Sequence, residues 1–372
     1  MSIKVGLVGL PNVGKSTLFN ALTKSTIAAQ NFPFCTILPN VAVTPVPDKR
    51  LNELAGIFGS KDIIPCSIDF VDIAGLVKGA SQGEGLGNQF LGHIMEVDMI
   101  IHVLRSFEDE NVIHVSNKIA PLEDFEVILS ELMLKDLESL EKREVKIVGL
   151  IKKANDVKLK KTLEEEQKIN QALKAALNHL NVEEVIALVA KANAAEVPLI
   201  PLLSAKKFII AANCSEEQMQ NKSFVTDPLY LGLIDRFGKD NVVAVCAKVE
   251  EDLSQLSDDE QLEMRKLLEI DEAGFNQLIL QTYKKLDLIT FFTCGPKEIH
   301  AWSIKKGTLA PAAASEIHSD LERGFICTEV YNYADLMALG SEQAVKAAGK
   351  LRIEGKDYII KDGDIIHVRF NV

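Results

Sequence analysis

Gly9-Leu-Pro-Asn-Val-Gly14-Lys15-Ser16-Thr17 is the stretch from which the fold of this chain can be inferred, because it matches the G-x-x-x-x-G-K-[ST] pattern of a phosphate-binding loop. An apolar run short enough for a buried strand precedes it, from Ile3 to Val8, and a helix-compatible segment follows, from Leu18 to Leu22. The glycines let backbone N–H groups curl around phosphates, Lys15 neutralises phosphate charge, and the Ser16 hydroxyl is a ligand for Mg²⁺. The order of strand, P-loop and helix predicts an α/β nucleotide-binding domain.

A second phosphate-linked motif, Asp72-Ile-Ala-Gly75, follows an apolar strand candidate that runs from Cys66 to Val71. In this D-x-x-G form the carboxylate holds Mg²⁺ through water, and the glycine N–H meets the γ-phosphate. Because the carboxyl ends of neighbouring parallel strands converge on one crevice, we expect both motifs to share one site. The glycine-rich segment from Gly79 to Gly87 is then interpreted as a nucleotide-ordered switch, although such a composition is also typical of a plain linker.

The segment Asn31-Phe-Pro-Phe-Cys-Thr36 lies between these two motifs. We interpret it as the first switch, in which the Thr36 hydroxyl is a second ligand for Mg²⁺. A proline-bent surface loop is the alternative interpretation.

Composition favours an ordinary globular protein, since 47% of the 372 residues are hydrophobic and 25% are charged. This length predicts two or three domains. No signal-peptide pattern and no apolar run of membrane-spanning length is found, and six cysteines without a C-x-x-C pair argue against a disulfide framework or a zinc site. We therefore expect a cytoplasmic protein with reduced thiols. The formal charge of −12 disfavours a protein that coats nucleic acid, but a local basic surface remains compatible with it.

From about Glu123 to Ala195 the pattern changes to long amphipathic helices, with apolar residues three and four positions apart between charged ones. The apolar positions are Ile128, Leu132, Leu137 and Leu140 on the first helix and Ile169, Leu173, Leu177 and Leu180 on the second. This predicts a helical hairpin inserted into the nucleotide domain. Its turn region, Lys142 to Lys161, is strongly basic, which indicates either a solvated face or a contact with RNA.

The remaining segments read mostly as strands. Three apolar runs should complete the parallel sheet of the nucleotide domain: Val97 to Leu104, Phe208 to Ala212 and Asn241 to Val249. After Leu288, short strands and one helix predict a small mixed domain of ubiquitin-like size: Ile289 to Cys294, Glu298 to Ile304, Gly324 to Val330, Asp357 to Ile360 and Ile365 to Asn371, with the helix near Ala312 to Leu321.

Over essentially its whole length the chain resembles the YchF subfamily of Obg-like ATPases. Besides the P-loop, the residues that carry the resemblance are Asn31-Phe-Pro-Phe-Cys-Thr36, Asp72-Ile-Ala-Gly-Leu-Val-Lys-Gly-Ala-Ser81, Asn88-Gln-Phe-Leu-Gly-His93 and Lys356-Asp-Tyr-Ile-Ile-Lys-Asp-Gly-Asp364. The resemblance implies an Obg-type P-loop domain at 1–122 and 206–285, a coiled-coil hairpin insertion at 123–205, and a β-grasp TGS domain at 286–372. It also implies Mg²⁺-dependent ATP hydrolysis to ADP and phosphate, and an association with the RNA and proteins of the ribosome in translation or stress responses. From the acidic charge and the lack of an apolar run of membrane-spanning length we expect neither DNA nor membranes as partners.

The resemblance also assigns the nucleotide contacts. At the phosphates and the metal these are Asn12, Val13, Gly14, Lys15, Ser16, Thr17, Thr36, Asp72 and Gly75. At the base, Asn213-Cys-Ser-Glu216 stands where GTPases have Asn-Lys-x-Asp, whose aspartate accepts hydrogen bonds from guanine. Without that aspartate the site lacks the acceptor that makes guanine bind more tightly than adenine. By resemblance to the family, the backbone at Cys214 contacts the adenine base. We therefore expect the chain to prefer ATP to GTP.

Catalysis should also depart from that of common GTPases, because Leu76 follows the D-x-x-G motif in place of the glutamine that orients water. The family's candidate for this role is the histidine of a loop, which is His114 here. From the sequence alone an isolated histidine beside apolar residues is more often structural. Asn12 resembles the asparagine of potassium-stimulated relatives, so K⁺ is expected to raise activity.

Two alternatives from other functional classes stay open. A conventional GTPase would need guanine selectivity from groups other than Asn213 to Glu216. A nucleotide-gated binding module would hydrolyse nucleotide only incidentally.

Overall fold

The structure is a computed structural model that describes residues 3–28, 40–73, 86–108, 118–270 and 274–371. Within these ranges every strand is short, with three to eight residues: β1 Lys4–Val8, β2 Val41–Pro45, β3 Asp62–Ile64, β4 Ser67–Asp72, β5 Met99–Arg105, β6 Phe208–Asn213, β7 Val242–Val245, β8 Leu288–Cys294, β9 Glu298–Lys305, β10 Phe325–Asn332, β11 Arg352–Glu354 and β12 Asp364–Phe370.

The helices of the described residues differ widely in length, and the two longest are consecutive. They are α1 Lys15–Ala28, α2 Arg50–Phe58, α3 Leu86–Glu96, α4 Pro121–Lys153, α5 Val157–Asn178, α6 Val182–Ala194, α7 Glu216–Gln220, α8 Pro228–Phe237, α9 Ala247–Leu253, α10 Asp258–Leu267, α11 Gly274–Lys285, α12 Ala310–Ile317, α13 Ser319–Arg323, α14 Tyr333–Leu339 and α15 Glu342–Ala347. No helix among the described residues combines the length and the apolar character that crossing a membrane requires.

The chain forms two compact units, and each draws on separate parts of the sequence. The P-loop unit comprises Lys4–Asn20 and Val71–Asp252. The C-terminal unit comprises Met1–Ile3, Ala21–Phe70 and Leu253–Val372.

In the P-loop unit β1, β5, β6 and β7 pair in parallel in that order, as the apolar runs predict. The end of β4 lies beside β1, where the N–H of Ile73 donates to the carbonyl of Leu7. All seven residues of β5 are buried, as expected for a strand that is covered on both faces. Because parallel strands share a direction, the residues after β1, β4, β5, β6 and β7 meet at one edge of the sheet.

The helical hairpin is built on one side of this sheet. The first half of α4 packs Phe125, Leu129 and Met133 into the core of the unit, and its second half pairs with α5. The sequence predicts two helices here, but the structure has a third, α6, because the chain turns at Leu180. Leu180 has a positive φ of 52° and lies 63% exposed beyond the end of α5, so its predicted place in the hairpin core is wrong.

The C-terminal unit contains a mixed sheet of order β11-β10-β12-β8-β9-β3. Helix α12 covers one face through Ala310, Ala313 and Ala314, whose small side chains allow close packing on Phe291. The short strand β3 was not predicted from the sequence, and it adds to the edge of this sheet by pairing in parallel with β9. Within the same unit β2 neighbours β4.

Two strand predictions are wrong in detail. The run Asn241 to Val249 is a strand only as far as Val245, and Ala247 begins α9, because Ala, Lys and Glu favour a helix once the chain leaves the sheet. Asp357 to Ile360 makes only an isolated bridge through Ile359, and β11 lies earlier.

Candidate functional site

The P-loop connects β1 to α1 at the carboxyl edge of the parallel sheet. Both of its glycines are required by the close approach of neighbouring atoms. A Cβ on Gly9 would lie 2.8 Å from the carbonyl oxygen of Val103 in β5, and one on Gly14 would lie 2.2 Å from the Asn213 amide nitrogen. Gly14 also has a φ of +92°, and Asn12 adopts a left-handed φ of 63°. The loop therefore holds its backbone tightly at the amino end of α1, where N–H groups are available for an anion.

Asn213, the last residue of β6, holds the P-loop in place. Its side-chain amide donates to the carbonyl of Val13 at 2.9 Å, and its Oδ1 accepts from the N–H of Ala247 at 3.0 Å. The side chain is buried, so both hydrogen bonds are shielded from water. The resemblance implies a position for Asn213 beside the base, and the structure shows that its side chain joins the P-loop to the start of α9.

The charged groups of the two phosphate motifs meet in the structure. Lys15 is buried and its ammonium donates to Oδ1 of Asp72 at the end of β4. The neighbouring Ser16 is exposed at the first turn of α1, and Thr17 is partly buried there. The prediction that the P-loop and the D-x-x-G aspartate share one crevice is confirmed by this contact.

The Ser16 hydroxyl and the Asp72 carboxylate each provide an oxygen atom at this crevice that can act as a metal ligand. Magnesium bound with substrate phosphates takes only one or two ligands from protein, so these groups fit it. Within the part of the chain that the structure describes, no cluster of three His, Cys, Asp or Glu side chains forms a metal site of another kind. The predicted Thr36, Gly75 and His114 lie outside the described residues.

The base end of the crevice is formed by the residues that follow β6. The N–H of Cys214 donates to the carbonyl of Val245 at 2.8 Å, and the N–H of Ser215 donates to Oε1 of Gln218 at 2.8 Å. Glu216 is exposed, and its carboxylate accepts from Gln220 at 3.0 Å. Burial raises the pKa of the Cys214 thiol to about 12, so this side chain stays neutral.

Sequence reasoning missed two positions at this edge. Ala247 begins α9 and uses its N–H to fix Asn213, while Ser106 after β5 donates its N–H to the Asn213 carbonyl at 2.8 Å. The Ser106 hydroxyl is buried, and no hydrogen-bond partner for it is found among the described residues. Both positions lie within two residues of the carboxyl end of a parallel strand, and the convergence of such strand ends is the signal that could have identified them.

The hairpin has two electrostatically different parts. Along its shaft the charges are paired: Arg143 makes two hydrogen bonds to the buried Glu166, at 2.7 and 2.9 Å, and Lys174 lies 2.6 Å from Glu144. The hairpin end, residues 145–161, carries one aspartate and six exposed lysines, Lys146, Lys152, Lys153, Lys158, Lys160 and Lys161. In the described part of the chain none of these six lysines forms an ion pair.

Two family models match the chain. One, described as "50S ribosome-binding GTPase", matches residues 4–148. The other is YchF-GTPase_C, described as "Protein of unknown function (DUF933)", and it matches residues 288–371.

Curated relatives match from end to end. The chain is 44% identical to the ribosome-binding ATPase YchF of Bacillus subtilis over 381 residues and 45% identical to that of Escherichia coli O157:H7 over 372 residues, with each chain fully covered. A solved structure, described as the YchF GTPase of Schizosaccharomyces pombe, superposes with a TM-score of 0.84 at 35% identity, and the match covers 99% of this chain and 98% of that one. The names of these relatives differ on the nucleotide, since the bacterial proteins are called ATPases and the yeast protein a GTPase.

Proposed function

Because the chain belongs to the YchF family, we propose that it is a ribosome-binding, Mg²⁺-dependent ATPase of the cytoplasm that acts in translation or stress responses. The observation that carries this proposal is the P-loop between β1 and α1, with Lys15 and Asp72 in contact at the edge where the strands converge. ATP and ADP are then the ligands of this edge, and the ribosome is the macromolecular partner.

At the phosphates, the N–H groups at the start of α1 and the Lys15 ammonium bind the negative charge of ATP. The ammonium has three N–H donors, so Lys15 can contact phosphate oxygens as well as the Asp72 carboxylate. Ser16, Thr36 and Asp72 would hold Mg²⁺, which when bound neutralises phosphate charge as the terminal phosphoryl group is transferred. The backbone of Asn12, Val13, Gly14 and Thr17 completes the phosphate cradle, and the Gly75 N–H meets the γ-phosphate by resemblance to the family.

For hydrolysis, the protein must orient a water molecule without a glutamine after the D-x-x-G motif. By resemblance we assign this role to His114, whose ring nitrogen accepts a proton from the water or holds it in line with the phosphorus. The side chain of Asn12 at the P-loop is the group that we associate with stimulation by K⁺.

At the base, we propose selectivity for adenine. The N–H of Cys214 is already used by Val245, so the backbone group that Cys214 offers is its carbonyl oxygen. A carbonyl oxygen accepts from the N6 amine of adenine, whereas it meets another acceptor, O6, in guanine. This supports ATP over GTP.

Hydrolysis itself is tested by following phosphate release from ATP with the purified chain, Mg²⁺ and K⁺. Slow but catalytic turnover is expected, and His114→Ala should slow it with little change in ATP affinity, because a water-positioning group acts mainly in the transition state. If ATP binds but no phosphate is released, the ATPase assignment is contradicted, and a nucleotide-gated binding module becomes the better description.

For the ribosome contact we propose the hairpin end, together with a C-terminal TGS domain at 286–372. Unpaired lysines are available to phosphates, and each contact with RNA releases condensed counterions, so binding weakens as salt rises. The paired charges of the shaft are already satisfied inside the protein and contribute less.

Ribosome co-sedimentation over a range of salt concentrations tests this surface. Reversing Lys152, Lys153, Lys160 and Lys161 to Glu should weaken binding and reduce the slope of log affinity against log salt by about 3. A matched variant that reverses four exposed lysines elsewhere has the same net charge and should behave like the parent: Lys168, Lys191, Lys239 and Lys266. If both variants lose the same amount of ribosome affinity, the hairpin lysines are part of a solvated face and do not form the ribosome contact.

A further inference from the structure

The loop between α6 and β6 lies at the amino edge of the parallel sheet, opposite to the nucleotide site, and it contacts both α3 and α4. The buried Asp136 of α4 accepts three hydrogen bonds from it, from the N–H of Leu203 at 2.8 Å, the N–H of Ser204 at 2.8 Å and the Ser204 hydroxyl at 2.6 Å. Two residues later, the Lys206 ammonium donates to the carbonyls of Met95 and Val97 at the carboxyl end of α3. One short loop therefore holds both α3 and α4.

The contacts made by Asp136 resist change because a buried carboxylate that loses its donors keeps its desolvation penalty. A displacement of α4 therefore carries the loop with it in preference to breaking these hydrogen bonds.

Lys206 is suited to its contact as well. The last carbonyls of a helix have no partner within the helix, and a cation at this position is favoured by the helix dipole. Burial lowers the pKa of Lys206, while Asp98 and Asp136 favour its charged form.

Two elements run from this loop to the nucleotide site. Helix α3 makes the return between β4, which ends at Asp72, and β5, so its amino end faces the edge where the nucleotide binds. Strand β6 starts after the loop and ends at Asn213, which holds the P-loop through Val13. On the other side, α4 continues from Asp136 to the lysines of the hairpin end.

We propose that Lys206 is a positioning residue that ties α3 to the base of the hairpin, so that ATP bound at the P-loop and RNA bound at the hairpin end change each other's affinity. This inference rests on the proposed function and names how its site is regulated. Such coupling is reciprocal, and in proteins it typically amounts to roughly 5- to 150-fold in affinity.

The test measures the affinity of the full-length protein for a non-hydrolysable ATP analogue, without ribosomes and with saturating purified ribosomes. The ratio of the two dissociation constants is the coupling factor. We expect a factor of at least about 5 for the parent, in either direction. In Lys206→Met it should fall to within about twofold of 1, while the affinities for the analogue alone and for ribosomes alone stay near those of the parent.

Two companion variants separate positioning from folding. Lys206→Arg keeps a cationic donor and should restore the coupling, and Lys191→Met removes an exposed lysine from α6 and should leave it intact. If Lys206→Met unfolds, Ser204→Ala removes one of the three hydrogen bonds to Asp136 and should lower the coupling factor without abolishing either binding.

The outcomes are distinguishable. A coupling factor of 1 in the parent, or an unchanged factor in Lys206→Met or in Ser204→Ala, would overturn the inference and leave the proposed function standing. Ribosomes that do not bind the parent would overturn the proposed function and this inference with it.

Discussion

The phosphate end and the base end of the candidate nucleotide site are built in different ways. At the phosphate end, glycine geometry and the buried Asn213 fix a loop at the amino end of α1, where N–H groups are available to an anion. At the base end, the N–H groups of Cys214 and Ser215 already donate within the protein, and Glu216 faces solvent. Phosphate binding thus follows from one local motif, whereas base choice depends on which backbone groups the fold leaves unused.

The largest effect is expected from Lys15→Ala at the phosphate end. Without the ammonium, phosphate charge is not neutralised, so binding and hydrolysis of both ATP and GTP should be abolished. The fold should persist, because Lys15 contacts the Asp72 carboxylate and is not part of the apolar core. Isothermal titration and a thermal melt check this, with Lys191→Ala as the exposed control. Full ATPase activity in Lys15→Ala would contradict the assignment of the P-loop as the phosphate-binding part of the site.

Asn213→Ala should have the next largest effect, because the Asn213 side chain ties the base-end motif to the P-loop at Val13 and to the start of α9 at Ala247. Its loss leaves the Val13 carbonyl and the Ala247 N–H without partners, at a cost of about 1–3 kcal/mol in the free energy of unfolding. Affinity should fall by a similar factor for ATP and GTP, since the P-loop loses support and neither base loses a selective contact.

Chemical denaturation and nucleotide titration measure the two effects of Asn213→Ala. Asn213→Asp is the companion variant: it keeps the acceptor for Ala247 but places a carboxylate oxygen against the Val13 carbonyl, so it should destabilise the P-loop at least as much as Asn213→Ala. A large change in the ratio of ATP to GTP affinity would instead make Asn213 a base-reading residue.

Glu216→Asp probes the base end alone. It shortens the carboxylate to the length found in Asn-Lys-x-Asp, so GTP affinity should rise, by up to about tenfold, while ATP affinity stays constant. Competitive titration of the two nucleotides measures the ratio, and Glu217→Asp, the exposed neighbour, is the control. An equal change in both affinities would show that position 216 acts on the shape of α7 and not on the base.

The smallest effect concerns the buried thiol beside the base end. Burial raises the pKa of Cys214 from 9.0 to about 12, so its contribution to stability is complete below about pH 9 and is lost as the pH rises towards 12. The stability of Cys214→Ala relative to the parent should therefore improve above pH 9, by at most about 1.4 kcal/mol per pH unit. Denaturation at pH 8, 9 and 10 measures this, and a constant difference would mean that the thiol ionises normally.

How much the sequence predicts differs between the two ends for a physical reason. The sequence correctly predicts that the P-loop lies between a strand and a helix and that Lys15 and Asp72 lie close together, because glycine spacing and a carboxylate at a strand end are local patterns. Asn213 is found only through resemblance, and its hydrogen bonds to Val13 and Ala247 join residues more than thirty positions apart, so no local pattern reports them.

The same limit explains the errors in the fold. The helices α4 and α5 have enough apolar repeats to be predicted, but β3 has only three residues and forms by pairing with the distant β9. The end of β7 was placed too late because Cys246 to Val249 is compatible with a strand, and only the turn at the sheet edge makes Ala247 helical.

The most direct test of the account is a matched titration of the parent protein with ATP and GTP, each with Mg²⁺. The account predicts tighter binding of ATP, by roughly ten- to a hundredfold, because the base end lacks the aspartate that pairs with guanine and offers a carbonyl acceptor to adenine. Tenfold tighter binding of GTP would contradict it and return the chain to the class of conventional GTPases.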